Sequence, residues 1–489
     1  YYMSLKKEDS SIKKNFIMNI LLTLSSFIFP IITFPYISRI LLPIGMGKVS
    51  FATSIINYFC LFAQLGIPYY GIRACACVRD DKDKLTRTVH ELLVINLALG
   101  IVSYIILGVC ILNIPRLCQE KELYFVISIT IVLNSLGMEW MYKGLEKYSY
   151  ITKRSILFKF IAVGLMFAFI HEQDDYILYG AVTIFAASAS NILNFINVRK
   201  YIYIRNMHGY CIKRHLKPIL VFFAMACATT IYTNLDNVML GFMTTDIDVG
   251  YYNAAVKIKT VLVSIVISLG TVLLPRASYY IENKQLDEFK RISEKAFNFV
   301  LIIAIPMMVF FVLYAKETIY FLSGSEYENA IIPMMIIMPT LVFIGMTNIL
   351  GLQMLVPLGK EKYVLYSEIA GAIVDLLLNA LLIPVYKSSG AAFGTFVAEI
   401  MVFVVQFLAI KSYAVSFLKN VQFIKMGIGI VLSVLTSSMI RILSLSDFFT
   451  LFVSSIIFFG VYLLVLVLLK EEIMILIVND LCNKVKRRK

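Results

Sequence analysis

Eight ionisable residues stand inside or at the ends of long apolar runs, and they are the side chains best placed to do chemistry: Arg39, Arg73, Asp236, Lys257, Lys259, Arg276, Asp375 and Glu399. A charge in the centre of a bilayer costs several kcal/mol, so each needs a partner or a task. Asp236 and Lys257 lie equally far from the fold between two neighbouring runs, and so at one depth; they form either an ion pair stapling that hairpin or a cationic patch tuned by the carboxylate. Lys259 projects about 200° from Lys257 on a helix, so the two lysines face different surroundings. Asp375 and Glu399 mirror each other about position 387. Two carboxylates at one level repel when both are ionised; either they share a proton or cation, or they face different helices and hydrogen-bond separately. Arg39, Arg73 and Arg276 offer the bidentate donors that phosphate oxygens accept, or act as membrane anchors.

Other chemistry is excluded. The chain has no Walker A loop, no His-Glu-x-x-His and no Gly-x-Ser-x-Gly. The four histidines, His90, His171, His208 and His215, are scattered, and the eight cysteines lack zinc-knuckle spacing, so no metal or catalytic site is expected and the chain reads as no enzyme.

The elements that position these residues follow from composition. Of 489 residues, 60% are apolar and only 16% charged, against roughly 25% charged in a soluble domain. Lipid is therefore the solvent for most of the chain. A membrane helix needs about 20 apolar residues. Charged and Gly/Pro punctuation delimits fourteen runs: 15–38, 49–72, 89–112, 122–142, 155–171, 176–198, 218–243, 250–275, 296–315, 329–356, 363–385, 389–410, 424–443 and 448–469. The fold class is all-α and polytopic. The first run is too long for a signal-peptide core and is expected to be a retained span. Pro30 and Pro35 are expected to interrupt the first span, and Pro333 and Pro339 the tenth. Trp140 sits where an interfacial belt residue belongs, and Lys159 is placed to snorkel to the nearer surface.

The net charge of +14 would point to nucleic acid in a soluble protein. Here its placement matters more: with fourteen spans, loops on one side receive 35 Lys and Arg, including Arg154, and loops on the other only seven. Both termini are thus expected in the cytosol. The external connections are short, which argues against a receptor or a polymerase with a large outer loop.

A shift of 203 residues lays 45–74 on 248–277 without a gap, pairing Gly47 with Gly250, Ala52 with Ala255 and Arg73 with Arg276. Two six-helix bundles of one orientation are expected, at 1–200 and 201–415, followed by two further helices and a basic tail at 416–489. Such bundles enclose a cleft that can open to alternate sides, the architecture of a transporter.

Particular motifs sharpen this. Phe34-Pro-Tyr-Ile-Ser-Arg-Ile-Leu41, Gly45-Met-Gly-Lys48, the stretch from Gly66 to Arg73 and Arg79-Asp-Asp-Lys82 resemble the N-terminal signature of bacterial oligosaccharide-lipid flippases. These are the Wzx-type polysaccharide transporters of the multidrug/oligosaccharidyl-lipid/polysaccharide (MOP) superfamily. Gly137-Met-Glu-Trp-Met-Tyr-Lys-Gly-Leu-Glu146 is similar to the end of their fourth helix, and Leu235-Asp-Asn-Val-Met-Leu-Gly241, Gly250-Tyr-Tyr-Asn-Ala-Ala255 and Leu274-Pro-Arg276 to their seventh and eighth. The resemblance implies a cationic lumen and export of undecaprenyl-diphosphate-linked repeat units across the bacterial plasma membrane, for O-antigen, capsule or exopolysaccharide. Arg39, Arg73 and Asp236 fall on motif positions, Lys257 within the motif region, and Lys259 is added for its charge alone. Expected partners are the lipid-linked oligosaccharide, membrane lipid, a polysaccharide polymerase and glycosyltransferases. No cofactor is expected beyond a proton or sodium gradient acting through Asp375, Glu399 or Asp236. The rival readings are a lipid II flippase, a multidrug/cation antiporter of the same superfamily, and an integral-membrane glycosyltransferase or polymerase.

Overall fold

The computed structural model describes residues 2–205, 207, 209–443 and 445–475, and among them every regular element is helical. The chain divides into two compact units, Tyr1–Gly250 and Tyr251–Lys489. Among the described residues, ten helices are long and apolar enough to cross a membrane, or eleven if one bent pair is counted as a span. Their apolar side chains point outward as well as inward: Ile101, Ile105 and Leu112 are 63%, 62% and 72% exposed. Water would reject such a surface, whereas lipid tails solvate it.

In the first unit, α1 (Tyr2–Gln64) is broken by one non-helical residue, Leu42, at φ 57° and ψ 176°. The chain reverses there. Tyr36, before the break, donates to the Ile170 carbonyl at 2.9 Å, and Thr152 donates to the Met18 carbonyl at 2.8 Å, so the stretch 18–36 runs alongside α7 (Tyr148–Phe169). After the break, Phe51 and then Asn57 and Phe62 meet Phe242, Asn234 and Phe223 of α10 (Lys213–Met243) in antiparallel order. Pro30 and Pro35 do not interrupt the helix as expected; both lie within helical backbone, and the break falls at Leu42. The 203-residue register explains that position. Helix resumes at Pro43 after Leu42, and α11 (Asp246–Glu282) begins at Asp246, the register mate of Pro43. The two junctions also pack on each other reciprocally: a Cβ on Gly47 would strike the Asp246 carbonyl, and one on Gly250 would strike that of Pro43.

A second turn, Leu65–Gly66, separates α1 from α2 (Ile67–Cys77). Gly66 has φ 75°, and its Cα presses on the backbone of Ile219, Phe222 and Phe223, so both its backbone conformation and its missing side chain are required. Next come α3 (Lys82–Asn113), α4 (Pro115–Cys118), α5 (Lys121–Gly137), α6 (Glu139–Gly144) and α7. Asp81 caps α3 by accepting from the Asp83 and Lys84 amides, and those bonds with Lys84 hold its carboxyl below the usual range. Then α8 (Tyr176–Ile184), a π-helical turn (Phe185–Ala189) and α9 (Asn191–Asn197) lead through an irregular segment to α10. Residues 201–212 carry no helix among the described positions.

That irregular segment is tied down by Glu91 of α3, whose side chain is fully buried. Its carboxylate accepts from the Cys211 amide (2.6 Å), Arg214 Nη2 (2.6 Å) and Nε (2.9 Å), and lies 2.6 Å from His215 Nε2. Lys159 does not snorkel; its ammonium donates to Ser25 and Ser26 of α1 at 2.8 and 2.9 Å and joins α7 to that helix. Local hydroxyl acceptors outcompete the longer reach to the interface.

The second unit holds the rest of α11, then α12 (Leu286–Leu313), α13 (Ala315–Ser323), α14 (Ile331–Ile337), α15 (Thr340–Thr347) and a π-helical stretch (Asn348–Leu355). The bend between Ser325–Ile337 and Thr340–Leu355 is 44°, and Pro339 stands in the break while Pro333 lies inside α14. The chain continues as α16 (Glu361–Ala409), α17 (Lys411–Asn420), α18 (Phe423–Ser438) and α19 (Asp447–Leu468). The sequence places a hairpin fold near 387, and α16 reverses on Lys387 (φ 51°, ψ −128°). Ser367 and Gln406 then meet across the hairpin at 3.0 Å. An aromatic cluster of Phe310, Tyr314 and Phe458 packs α12 against α19.

Candidate functional site

Of the residues singled out from sequence, Arg39, Arg73 and Asp236 belong to the first unit, and Lys257, Lys259, Asp375 and Glu399 to the second. Arg39 is exposed near the reversal of α1, with Nη1 donating to its own helix at the Pro35 carbonyl (2.8 Å). Arg73 is exposed on α2, toward the opposite end of the same helix pair. Asp236 is buried on α10 in the first unit, whereas Lys257 and Lys259 belong to α11 in the second and are partly exposed. The side chain of Arg276 lies outside the described residues. Asp375 and Glu399 are 1% and 7% exposed at one level of the α16 hairpin. There Gly394 leaves room for Asp375 and Asn379, and Thr395 bonds Tyr252 at 2.9 Å.

A different set converges. A cleft of about 450 Å³ opens within the first unit. One wall is the last turns of α1, with Asn57, Cys60, Leu61 and Gln64; Gly66, Pro68, Tyr69 and Ile72 continue it along α2. Asn134 of α5 and Lys143 of α6 form a second wall, and Ala226, Thr229, Thr230 and Asn234 of α10 a third. No carboxylate lines it among the described residues. Its size lies in the range of about 300–1,000 Å³ typical of small-molecule sites, and its mixture of amides, hydroxyls and apolar faces suits a hydrogen-bonding ligand.

Two of the amides are oriented by their neighbours. On the α1–α10 side, Asn234 Nδ2 donates to the Thr230 carbonyl at 3.0 Å, so Asn234 Oδ1 is left to accept. Asn57 Nδ2 donates to it at 3.0 Å. On the α5 side the chain begins at Arg154 of α7, which can only donate. Its Nη1 reaches the Ser190 carbonyl at 2.6 Å and Asn191 Oδ1 at 3.1 Å. Asn191 must then present Nδ2, which donates to Asn134 Oδ1 at 3.2 Å; Ser188 Oγ donates to the same oxygen at 3.1 Å. Arg154 also contacts Glu139 at 3.4 Å, and Glu139 pairs with Lys143 at 2.8 Å, back at the cleft wall.

Much of this network comes from the segment 137–146. Gly137 is bare because a Cβ there would overlap Asn191, and its carbonyl accepts from Asn194 at 2.7 Å. Met138 takes a left-handed conformation (φ 42°) that starts α6. Tyr142 donates to the Asn194 carbonyl at 2.6 Å, and Glu146 pairs with Arg79 at 2.8 Å. Two expectations are corrected here. Arg154, counted among the loop cations, is 5% exposed inside the helix packing. Trp140 is no belt residue: it is 4% exposed, with its ring against Gly71 of α2.

Sequence reasoning missed the cleft because it weighed ionisable groups. The unused signal was the set of neutral amides inside apolar runs, Asn57, Asn134, Asn191 and Asn234, which must find partners across helices.

At the start of α11, Arg116 of α4 forms another cluster. Both of its terminal nitrogens pair with the two Asp246 carboxylate oxygens, Nε donates to the Gly241 carbonyl at 2.9 Å, and the guanidinium stacks 5.1 Å from the Phe51 ring centroid. Beside it, Lys48 pairs with Glu120 at 2.6 Å, and Tyr176 donates to Glu120 at 2.7 Å.

A polytopic bundle of this construction is the fold of MOP-type membrane transporters. It aligns with the solved structure of the lipid II flippase MurJ in an inward closed conformation, with a TM-score of 0.71 at 17% identity over 93% of this chain and 100% of that one. An inward-facing multidrug resistance MATE family transporter aligns with a TM-score of 0.60 at 13% identity, over 82% and 95% of the two chains. Residues 12–281 match the model of the polysaccharide biosynthesis protein family, and the chain belongs to that family. Residues 222–381 also match the MatE family model. The chain is similar to a "Putative O-antigen transporter" of Escherichia coli (strain K12), 24% identical over 80% of this chain and 95% of that protein. A protein of the same name from Shigella dysenteriae is 26% identical over 82% and 100%. The names of these relatives describe transporters, and this chain, with its many apolar helices, is a multi-pass membrane protein of the polysaccharide biosynthesis protein family.

Proposed function

We propose that the protein is a flippase that moves polyprenyl-diphosphate-linked oligosaccharide repeat units across a bacterial plasma membrane by alternating access, with both termini in the cytosol. The observation that carries this reading is the cleft of the first unit, lined among the described residues by amides and hydroxyls, one lysine and no carboxylate. Sugars are bound by such groups, whereas a site for cationic drugs requires negative charge. The names of the curated relatives, which concern O-antigen transport, point the same way. The polyprenyl chain stays in lipid. Arg39, Arg73, Lys257, Lys259 and Arg276 remain the proposed contacts for the diphosphate. Asp375 and Glu399, with Asp236, are the proposed carriers of a proton or sodium ion that resets the cycle. A polymerase and glycosyltransferases are the partners such a step requires, since one supplies its substrate and the other consumes its product.

Reconstitution into liposomes tests the reading. Lipid-linked oligosaccharide placed in one leaflet becomes accessible to a glycosidase on the other side when the protein is present, faster with an imposed proton or sodium gradient. Uptake of a cationic dye without oligosaccharide movement overturns it in favour of an antiporter, and movement of lipid II alone in favour of a peptidoglycan-precursor flippase.

A further inference from the structure

The two oriented amides of the cleft carry more than general polarity. Asn134 Oδ1 is saturated by Ser188 and Asn191, so its Nδ2 is the atom left for the cleft, and it has no acceptor among the described residues. Asn57 spends Nδ2 on Asn234, so its Oδ1 is what remains, with no donor among the described residues. Neither amide can flip without breaking its chain. The Asn134 chain ends on the donor-only guanidinium of Arg154, and the Asn57 chain on the acceptor-only carbonyl of Thr230. The cleft therefore presents one fixed donor and one fixed acceptor from different helices.

A sugar hydroxyl both donates and accepts, so a site for plain hydroxyls gains nothing from fixing its amides. An acylamino substituent differs: its carbonyl only accepts and its N–H only donates. Its methyl group also needs an apolar face, which Leu61 and Ile72 supply beside the amides. We propose that this cleft reads an N-acetylated amino sugar, with Asn134 Nδ2 donating to the acetamido carbonyl and Asn57 Oδ1 accepting from its N–H. Arg154 and Asn191 are positioning residues that set the polarity of Asn134. The proposal rests on the transport reading above and names the chemical class of its sugar.

The experiment uses the full-length protein in detergent and two disaccharides that differ in their acetamido groups, chitobiose and cellobiose. Saturation-transfer NMR reads each sugar's binding, and the ratio of the two dissociation constants reads selectivity. An acylamino group that satisfies both fixed amides should gain about an order of magnitude over a hydroxyl that satisfies one, so chitobiose should bind roughly tenfold more tightly than cellobiose, with its acetyl methyl strongly saturated. Asn134→Asp keeps the oxygen that Ser188 and Asn191 need and replaces only the cleft-facing donor; it should bring the ratio near one. Asn57→Leu, on another helix, should do the same, which keeps the test decisive if either variant folds poorly. Arg154→Met should lower the ratio more than it lowers cellobiose binding, because Asn191 is then free to turn. Equal binding of the two sugars to the wild type, or a wild-type ratio in Asn134→Asp and Asn57→Leu, overturns the proposal while leaving transport intact. Selective chitobiose binding by a protein that moves no lipid-linked oligosaccharide removes the transport reading and leaves the site.

Discussion

Breaking the Arg116 cluster should loosen the start of α11. Arg116→Met keeps the apolar stem over Phe51 and removes the guanidinium. Two bonds to the Asp246 carboxylate and one to the Gly241 carbonyl are lost. Bonds to charged groups contribute about 1.5–3 kcal/mol when well sheltered. Here the Arg116 and Asp246 side chains are 24% and 13% exposed, so solvent screening discounts the sum to about 3 kcal/mol. At about 1.4 kcal/mol per factor of ten, local opening should become roughly a hundredfold more frequent. Ala52, fully buried one residue beyond Phe51, supplies the reporter. In a background with the other cysteines replaced, Ala52→Cys of the purified protein should react with a water-soluble thiol reagent about a hundredfold faster when Arg116→Met is present. Asp246→Asn should act in the same direction, and the double variant should show less than the sum, since both singles break one interaction. A labelling rate within twofold of the parent in both single variants would show that this cluster holds nothing shut.

Two further outcomes follow from buried contacts. Glu91→Ala removes the acceptor for Cys211, Arg214 and His215; losing one partner of a buried charged cluster costs about 3–5 kcal/mol, and the low end applies because Arg214 is 47% exposed. Hydrogen exchange in 209–216 should accelerate about a hundredfold, and unchanged protection there would refute the role given to Glu91. Gly71→Ala would bring a Cβ to 2.6 Å from the Trp140 ring, which is walled in; overpacking of about 1–3 kcal/mol should lower thermal stability and shift the emission of this single tryptophan. An unshifted spectrum with parental stability would contradict the packing described for α2 and α6.

The sequence by itself determined the solvent, the helical class and the places where the chain turns. Hydropathy is a local property, so apolar runs were legible without knowing their neighbours. The reversals at Leu42 and Lys387 were legible too, because spans must end where the membrane does. The spans were expected to open at 49 and 250, and only the structure places the two helix starts at Pro43 and Asp246, a pair that the 203-residue register relates when extended two residues beyond its matched stretch. Tertiary structure alone decided which polar groups meet. Asn134 is oriented by Asn191 and Arg154, and Asn57 by Asn234, each on another helix. The same contacts turned Arg154 from a loop cation into a buried strut and Trp140 from a belt residue into packing. A neutral amide carries no charge to betray it in a sequence. Its polarity is set by the last fixed donor or acceptor in its chain, and only the folded bundle brings that group within reach.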